Sequence, residues 1–136
     1  MSAYFVDTWY LIARADPLDS HHRSVMRMEL LLTRAELVTH EYVFAEFLAF
    51  FAAEGAEARA GAVATVRRAQ TTCCVIETTR NLFHSGLDLY ARRPDKEYSF
   101  TDCLSMVIMR LHGIESVLTN DHHFRQEGFT VLSDAP

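Results

Sequence analysis

Short apolar runs that end on polar or acidic residues alternate along this chain with longer stretches of helical period, and that alternation restricts the fold more than any other feature. Ala3-Tyr4-Phe5-Val6 stops at Asp7 and reads as a strand, and Thr8 to Ala15 reads as a short helix broken by Asp16-Pro17. Asp19-Ser20 supplies an N-cap candidate for a helix running to about Arg34, and Leu37-Val38-Thr39 reads as the next strand. Glu41 to Glu54 and Ala56 to Gln70 read as two helices parted by Gly55, a hairpin projecting from the core. Cys73 to Ile76 is a third strand. Thr78 to Arg92 reads as a helix with Leu82, Phe83, Leu87 and Tyr90 inward, and Phe100 to His112 as one burying Leu104, Val107, Ile108 and Leu111. Ser116 to Thr119, a short helix around His123 to Glu127, and Phe129 to Leu132 finish the pattern.

Strands separated by helices call for a parallel sheet covered on both faces. The expected class is therefore α/β: a three-layer α/β/α sandwich with a mostly parallel sheet of about five strands, one domain over residues 1–136. A chain of 136 residues with 49% hydrophobic and 23% charged residues can bury such a core and is not a disordered composition. The apolar runs are too short to span a bilayer, and no basic segment precedes the first one, so a soluble, cytoplasmic chain with no membrane partner is expected. Three cysteines, two of them adjacent, make neither a disulfide framework nor a thiolate zinc site.

Sites in open α/β sheets form beyond the carboxyl ends of strands, which directs attention to acids that follow strands. Asp7 and Asp121 do so. Each can equally cap the helix that follows it. Glu46 has Tyr42, Val43, Ala49 and Phe50 three and four positions away, with no Lys or Arg within a turn. If that surround buries it, it must be protonated, matched to a distant base or bound to a cation; otherwise it lies on a partly exposed edge. Asp102 fits a capping box with Ser99 and also fits a ligand. Gathered by the fold, four acids would repel one another unless a cation joined them, and hard oxygen donors select Mg²⁺ or Mn²⁺.

Phe5-Val6-Asp7-Thr8, the apolar helix holding Glu46, Phe100-Thr101-Asp102-Cys103-Leu104 and Val117-Leu118-Thr119-Asn120-Asp121-His122-His123-Phe124 together resemble the PIN-domain ribonucleases, and among them the VapC-type toxins of bacterial toxin–antitoxin pairs. The resemblance runs in order over nearly the whole chain. It implies that Asp7, Glu46, Asp102 and Asp121 are the catalytic, metal-holding acids and that Thr8, Thr119 and Asn120 are their polar neighbours. Trp9 departs from the small or polar residue common at its position. It implies a Mg²⁺-dependent endoribonuclease, with Mn²⁺ able to substitute, that hydrolyses single-stranded RNA to 5′-phosphate and 3′-hydroxyl ends. It also implies a homodimer and a cognate antitoxin. A PIN ribonuclease of RNA processing or decay without an antitoxin, and an acid pocket that binds without turnover, are the alternatives.

Formal net charge is −5, with Lys96 the only lysine among 13 bases, so RNA must be guided by local arginines. Arg59, Arg67, Arg68, Arg92 and Arg93 are the candidates. A receiver-like phosphoacceptor needs a lysine near its last strand, and Lys96 precedes the fourth; a DxD phosphatase fails because Trp9 stands where its second acid belongs. His122-His123 is not read as a ligand pair, because neighbours do not share a helix face, and His40, His84 and His112 show no partner pattern. Leu30-Leu31-Leu32 and Phe47, Leu48, Phe50 and Phe51 cannot all face one core, which points to a second copy of the chain.

Overall fold

The computed structural model describes residues 2–134. Its strands are β1 (Ala3–Val6), β2 (Glu36–His40), β3 (Cys74–Ile76), β4 (Ser116–Leu118) and β5 (Thr130–Leu132). Its helices are α1 (Thr8–Ala15), α2 (His22–Leu31), α3 (Glu41–Phe50), α4 (Ala56–Thr72), α5 (Arg80–Arg92), α6 (Phe100–Leu111) and α7 (His122–Gln126). The strands form one sheet in the order β3-β2-β1-β4-β5, and every pairing is parallel, with Phe5 opposite Val38 on one side and Val117 on the other. Phe5 and Val6 are successive in β1 yet both fully buried, as the central strand of a parallel sheet covered on both faces requires.

The strand order places the site. From β1 the chain steps outward through β2 and β3 on one side, then returns to build β4 and β5 on the other. The gap beyond the carboxyl ends of β1 and β4 is the switch point, where the two crossovers diverge and leave a crevice. Asp7 follows β1 and Asp121 follows β4 by three residues. The crossover helix α6 runs back against the sheet, so its N-terminus, with Asp102, opens at the same edge.

Several local expectations need correction. The second helix starts at His22 rather than at Asp19-Ser20, because Asp19 Oδ1 accepts from the His21 backbone N–H and builds a turn ahead of it. α3 ends at Phe50, and Gly55, with φ of +97°, turns the chain into α4. The hairpin does not project: α4 lies on α1 and β3 as well as on α3, burying Ala62, Thr65 and Ala69. α5 begins at Arg80, capped by the Thr79 hydroxyl, and buries Leu82, Gly86 and Leu89, leaving Leu87 and Tyr90 exposed. Gly86 sets that face, since a Cβ there would stand 2.7 Å from Leu104 Cδ2 of α6. Leu111, expected inward, is 72% exposed at the end of α6.

Candidate active site

Three acids meet at the switch point. Asp7 is 4% exposed and sits at the N-cap position of α1, but its side chain makes no cap bond. Its Oδ2 accepts the Thr119 hydroxyl at 2.7 Å, while Oδ1 is buried with no hydrogen-bond partner. The Thr119 hydroxyl also accepts the Asp121 backbone N–H at 3.1 Å, so one side chain at the end of β4 ties the first acid to the last. Asp102 is buried in the capping box that opens α6: Ser99 N–H donates to its Oδ2 and its own N–H donates to Ser99 Oγ, both at 3.1 Å. Asp121 is half-buried, and its Oδ1 accepts the His123 N–H at 2.9 Å.

Burial pushes the Asp7 carboxyl up to about 7, helped by the charges of Asp102 and Glu46 and opposed by the Thr119 hydroxyl and Thr8 amide. Burial raises Asp102 to about 6, with Asp121 and Glu46 adding to it and the Ser99 amide and His123 working against it. An acidic cluster that raises its own protonation constants in this way is matched by a small divalent ion.

Glu46 takes the second of the two readings open to it, the exposed edge. α3 buries the stripe Val43, Phe44 and Phe47, and Glu46 lies exposed beside it, so its apolar neighbours do not enclose it. Its charge nevertheless reaches both Asp7 and Asp102. Of the expected polar neighbours, Thr119 is in the site and Thr8 is buried next to Asp7 with its Oγ1 unpartnered, while Asn120 is exposed.

The arginines divide in two. Arg68 donates to Glu29 Oε1 at 2.6 Å, Arg93 makes a two-pronged pair with Glu127 at 2.9 and 3.1 Å, and Arg59 Nη1 donates to the Ala52 carbonyl. These three are held by contacts within the chain. Arg67 and Arg92 are exposed, with side chains that make no ion pair among the described residues.

Two histidines set aside on the sequence have partners here. His40 is fully buried at the end of β2; its Nε2 bonds the Ser105 Oγ at 2.8 Å, and Ser105 in turn donates to the Thr101 carbonyl, one residue before Asp102. Burial holds His40 down at about 4. His123 brings Nδ1 within 3.1 Å of Asp121 Oδ1 and 3.5 Å of Asp102 Oδ2. The signal available was the spacing Asp121-x-His123, in which an Asx turn folds the second side chain back on the first.

An acid cluster at the switch point of an all-parallel five-stranded sheet could hold a divalent metal. The chain belongs to the PIN-domain family, whose model matches residues 4–129. It is 29% identical over 126 residues to the 23S rRNA-specific endonuclease VapC20 of Mycobacterium tuberculosis, covering 92% of this chain and 94% of that one. The crystal structure of M. tuberculosis VapC20, described as a sarcin–ricin loop cleaving toxin, superposes with a TM-score of 0.84 at 26% identity, covering 99% of this chain and 100% of the other. The fold is shared as well by VapBC2 from Rickettsia felis bound to a promoter DNA fragment, at a TM-score of 0.72, 12% identity and 96% and 97% coverage. The chain is thus a PIN-domain nuclease, and it is similar to VapC toxins.

Proposed function

We propose that this chain is the toxin of a toxin–antitoxin pair, a cytoplasmic Mg²⁺-dependent endoribonuclease in which Asp7 and Asp102 are the principal metal ligands and Glu46 and Asp121 ligate directly or orient water. The observation that carries the reading is Asp7 Oδ1: a carboxylate oxygen buried without any partner, beside a second buried carboxylate. Such an atom is costly unless a ligand completes it. When bound, the divalent ion supplies Lewis-acid activation of water and of the scissile phosphate. The chain's own residues hold the donors: Thr119 fixes Asp7, the capping box fixes Asp102, and the Asx turn fixes Asp121.

The substrate to try first is 23S rRNA, on the likeness to VapC20, with cleavage in an unpaired loop leaving 5′-phosphate and 3′-hydroxyl ends. Of the five candidate arginines, Arg67 and Arg92 make no ion pair among the described residues and are available to guide it. An antitoxin fits the likeness to VapBC proteins. A second copy of the chain would cover Leu30, Leu31 and Phe50, which are 74%, 58% and 56% exposed. Among the described residues no helix is long and apolar enough to cross a membrane.

The test incubates purified protein with ribosomes and total RNA in Mg²⁺, in Mn²⁺ and in EDTA. Cleavage is expected with either ion, none in chelator, and none by Asp102→Asn. Cleavage unchanged in EDTA overturns the metal reading.

A further inference from the structure

The site contains a nitrogen that an all-oxygen metal pocket does not need. Nδ1 of His123 is a buried atom that makes no hydrogen bond, although it lies 3.1 Å from Asp121 Oδ1 and 3.5 Å from Asp102 Oδ2. Close approach without alignment is not how a ring N–H serves a carboxylate. It is how donors around a shared cation stand: an octahedral ion with bonds of roughly 2.1 Å spaces adjacent donors about 3 Å apart and opposite donors about 4.2 Å. One ligand atom from each of Asp102, Asp121 and His123 falls within 4.8 Å of the others. A second observation lies beside this trio: Oδ1 of Asp7, on a residue only 4% exposed, has no hydrogen-bond partner, and Asp7 is tied to Asp121 through the Thr119 hydroxyl and electrostatically coupled to Asp102.

The ring is also held in place. The Asp121 turn fixes the His123 backbone, and the Tyr98 ring packs 5.5 Å from the imidazole. Tyr98 donates its hydroxyl to Glu127, which closes α7 and is itself clamped by Arg93 and Arg110. A side chain anchored from both ends is preorganised for one partner.

We propose that His123, through Nδ1, is a nitrogen ligand of the divalent cation held by Asp102 and Asp121. The inference rests on the metal-nuclease reading and deepens it. Imidazole suits borderline first-row ions and is a poor donor for Mg²⁺, so a mixed nitrogen and oxygen set makes the site prefer Mn²⁺ to Mg²⁺ by more than carboxylates alone would.

The test uses the intact chain loaded with Mn²⁺, with pulsed electron paramagnetic resonance on protein carrying ordinary or ¹⁵N-labelled histidine, and calorimetric titrations with Mn²⁺ and Mg²⁺. A nitrogen coupling that changes with the label and disappears in His123→Ala and His123→Gln is expected. Both variants should lose about tenfold or more in Mn²⁺ affinity and less in Mg²⁺ affinity. Mn²⁺ bound by the wild-type chain, lost in Asp102→Asn, but without histidine coupling overturns the inference and leaves the nuclease reading standing; His123 is then only a counter-charge to the acids. A coupling that survives in His123→Ala overturns it in favour of His122. No Mn²⁺ binding at all removes the metal-nuclease reading itself.

Discussion

Replacing Asp7 by Asn should stabilise the metal-free protein, and the amount follows from the site. The carboxyl rises from an ordinary 3.8 to about 7 on folding, a difference that corresponds to at most about 4 kcal/mol against the folded state above neutral pH. The sign is that of a raised carboxyl: its contribution is fully favourable below the unfolded value and is lost as pH climbs through the folded one. Asn keeps the shape and can still accept the Thr119 hydroxyl, so little is sacrificed. Near pH 8 the variant should be more stable by about 3 kcal/mol, roughly 10 °C in melting temperature for a chain of this size. Near pH 5 the folded wild-type acid is protonated and the gap should fall below half. Wild-type stability alone hides this, because His40, held down at about 4, contributes the opposite slope: the unfolded imidazole takes up protons below about 6.5 that the folded one refuses. Comparing the two proteins removes His40. The assay is thermal unfolding in EDTA at the two pH values, then with Mn²⁺. A ligand at a hundred times its Kd adds about 2.7 kcal/mol, to wild type alone. A variant that melts at or below wild type near pH 8, or a gap that ignores pH, refutes the electrostatic account of the site.

Charge reversal at Arg67 and Arg92 together should weaken RNA binding and flatten its dependence on salt, because fewer phosphate contacts release fewer counterions; filter binding across a salt series checks it. Ser105→Ala strips His40 of its partner and leaves both ring nitrogens bare in the core, costing about 1–3 kcal/mol in chemical denaturation. Gly86→Ala should cost about 1–2 kcal/mol, since the added methyl meets the buried Leu104 and that strain exceeds the helical preference for alanine. Sedimentation at tens of micromolar should show a dimer that Leu30→Glu with Phe50→Glu dissolves.

The framework was readable because parallel strands buried on both faces are short unbroken apolar runs, and Ala3–Val6 and Ser116–Leu118 can be little else. The faces of individual helices were harder. α5 carries Leu82, Phe83, Leu87 and Tyr90 at helical spacing, yet Gly86 lets α6 approach on the side of Leu82 and Leu89, which leaves Leu87 and Tyr90 exposed. A missing side chain sets that packing, and hydrophobic periodicity counts only the ones present. Glu46 illustrates the same weakness. Apolar neighbours in sequence bury a residue only if the helix turns that face inward, and α3 turns the face of Val43, Phe44 and Phe47. His40 was invisible for another reason: its partner Ser105 is remote in sequence and is brought to it by a crossover, as Asp102 is brought to His123.

Helix cap and metal ligand had stood as rival readings of each strand-end acid, but the structure separates the acids along a different line. Asp102 and Asp121 both take part in capping: Asp102 Oδ2 accepts the N–H of Ser99, the residue that caps α6, and Asp121 Oδ1 accepts the His123 N–H in the first turn of α7. That bond fixes the carboxylate's position and leaves lone pairs facing the crevice, so capping prepares a ligand instead of competing with it. Asp7 occupies a cap position and declines the role; Thr119 from β4 holds its Oδ2, and Oδ1 is left bare in the interior. The cap bonds offset part of the burial of Asp102, whose carboxyl still rises to about 6, while Asp7, raised to about 7, is the acid that detracts most from the folded chain. The detracting one carries the stronger evidence of function, because a fold keeps an unpartnered buried carboxylate only where something outside the chain completes it.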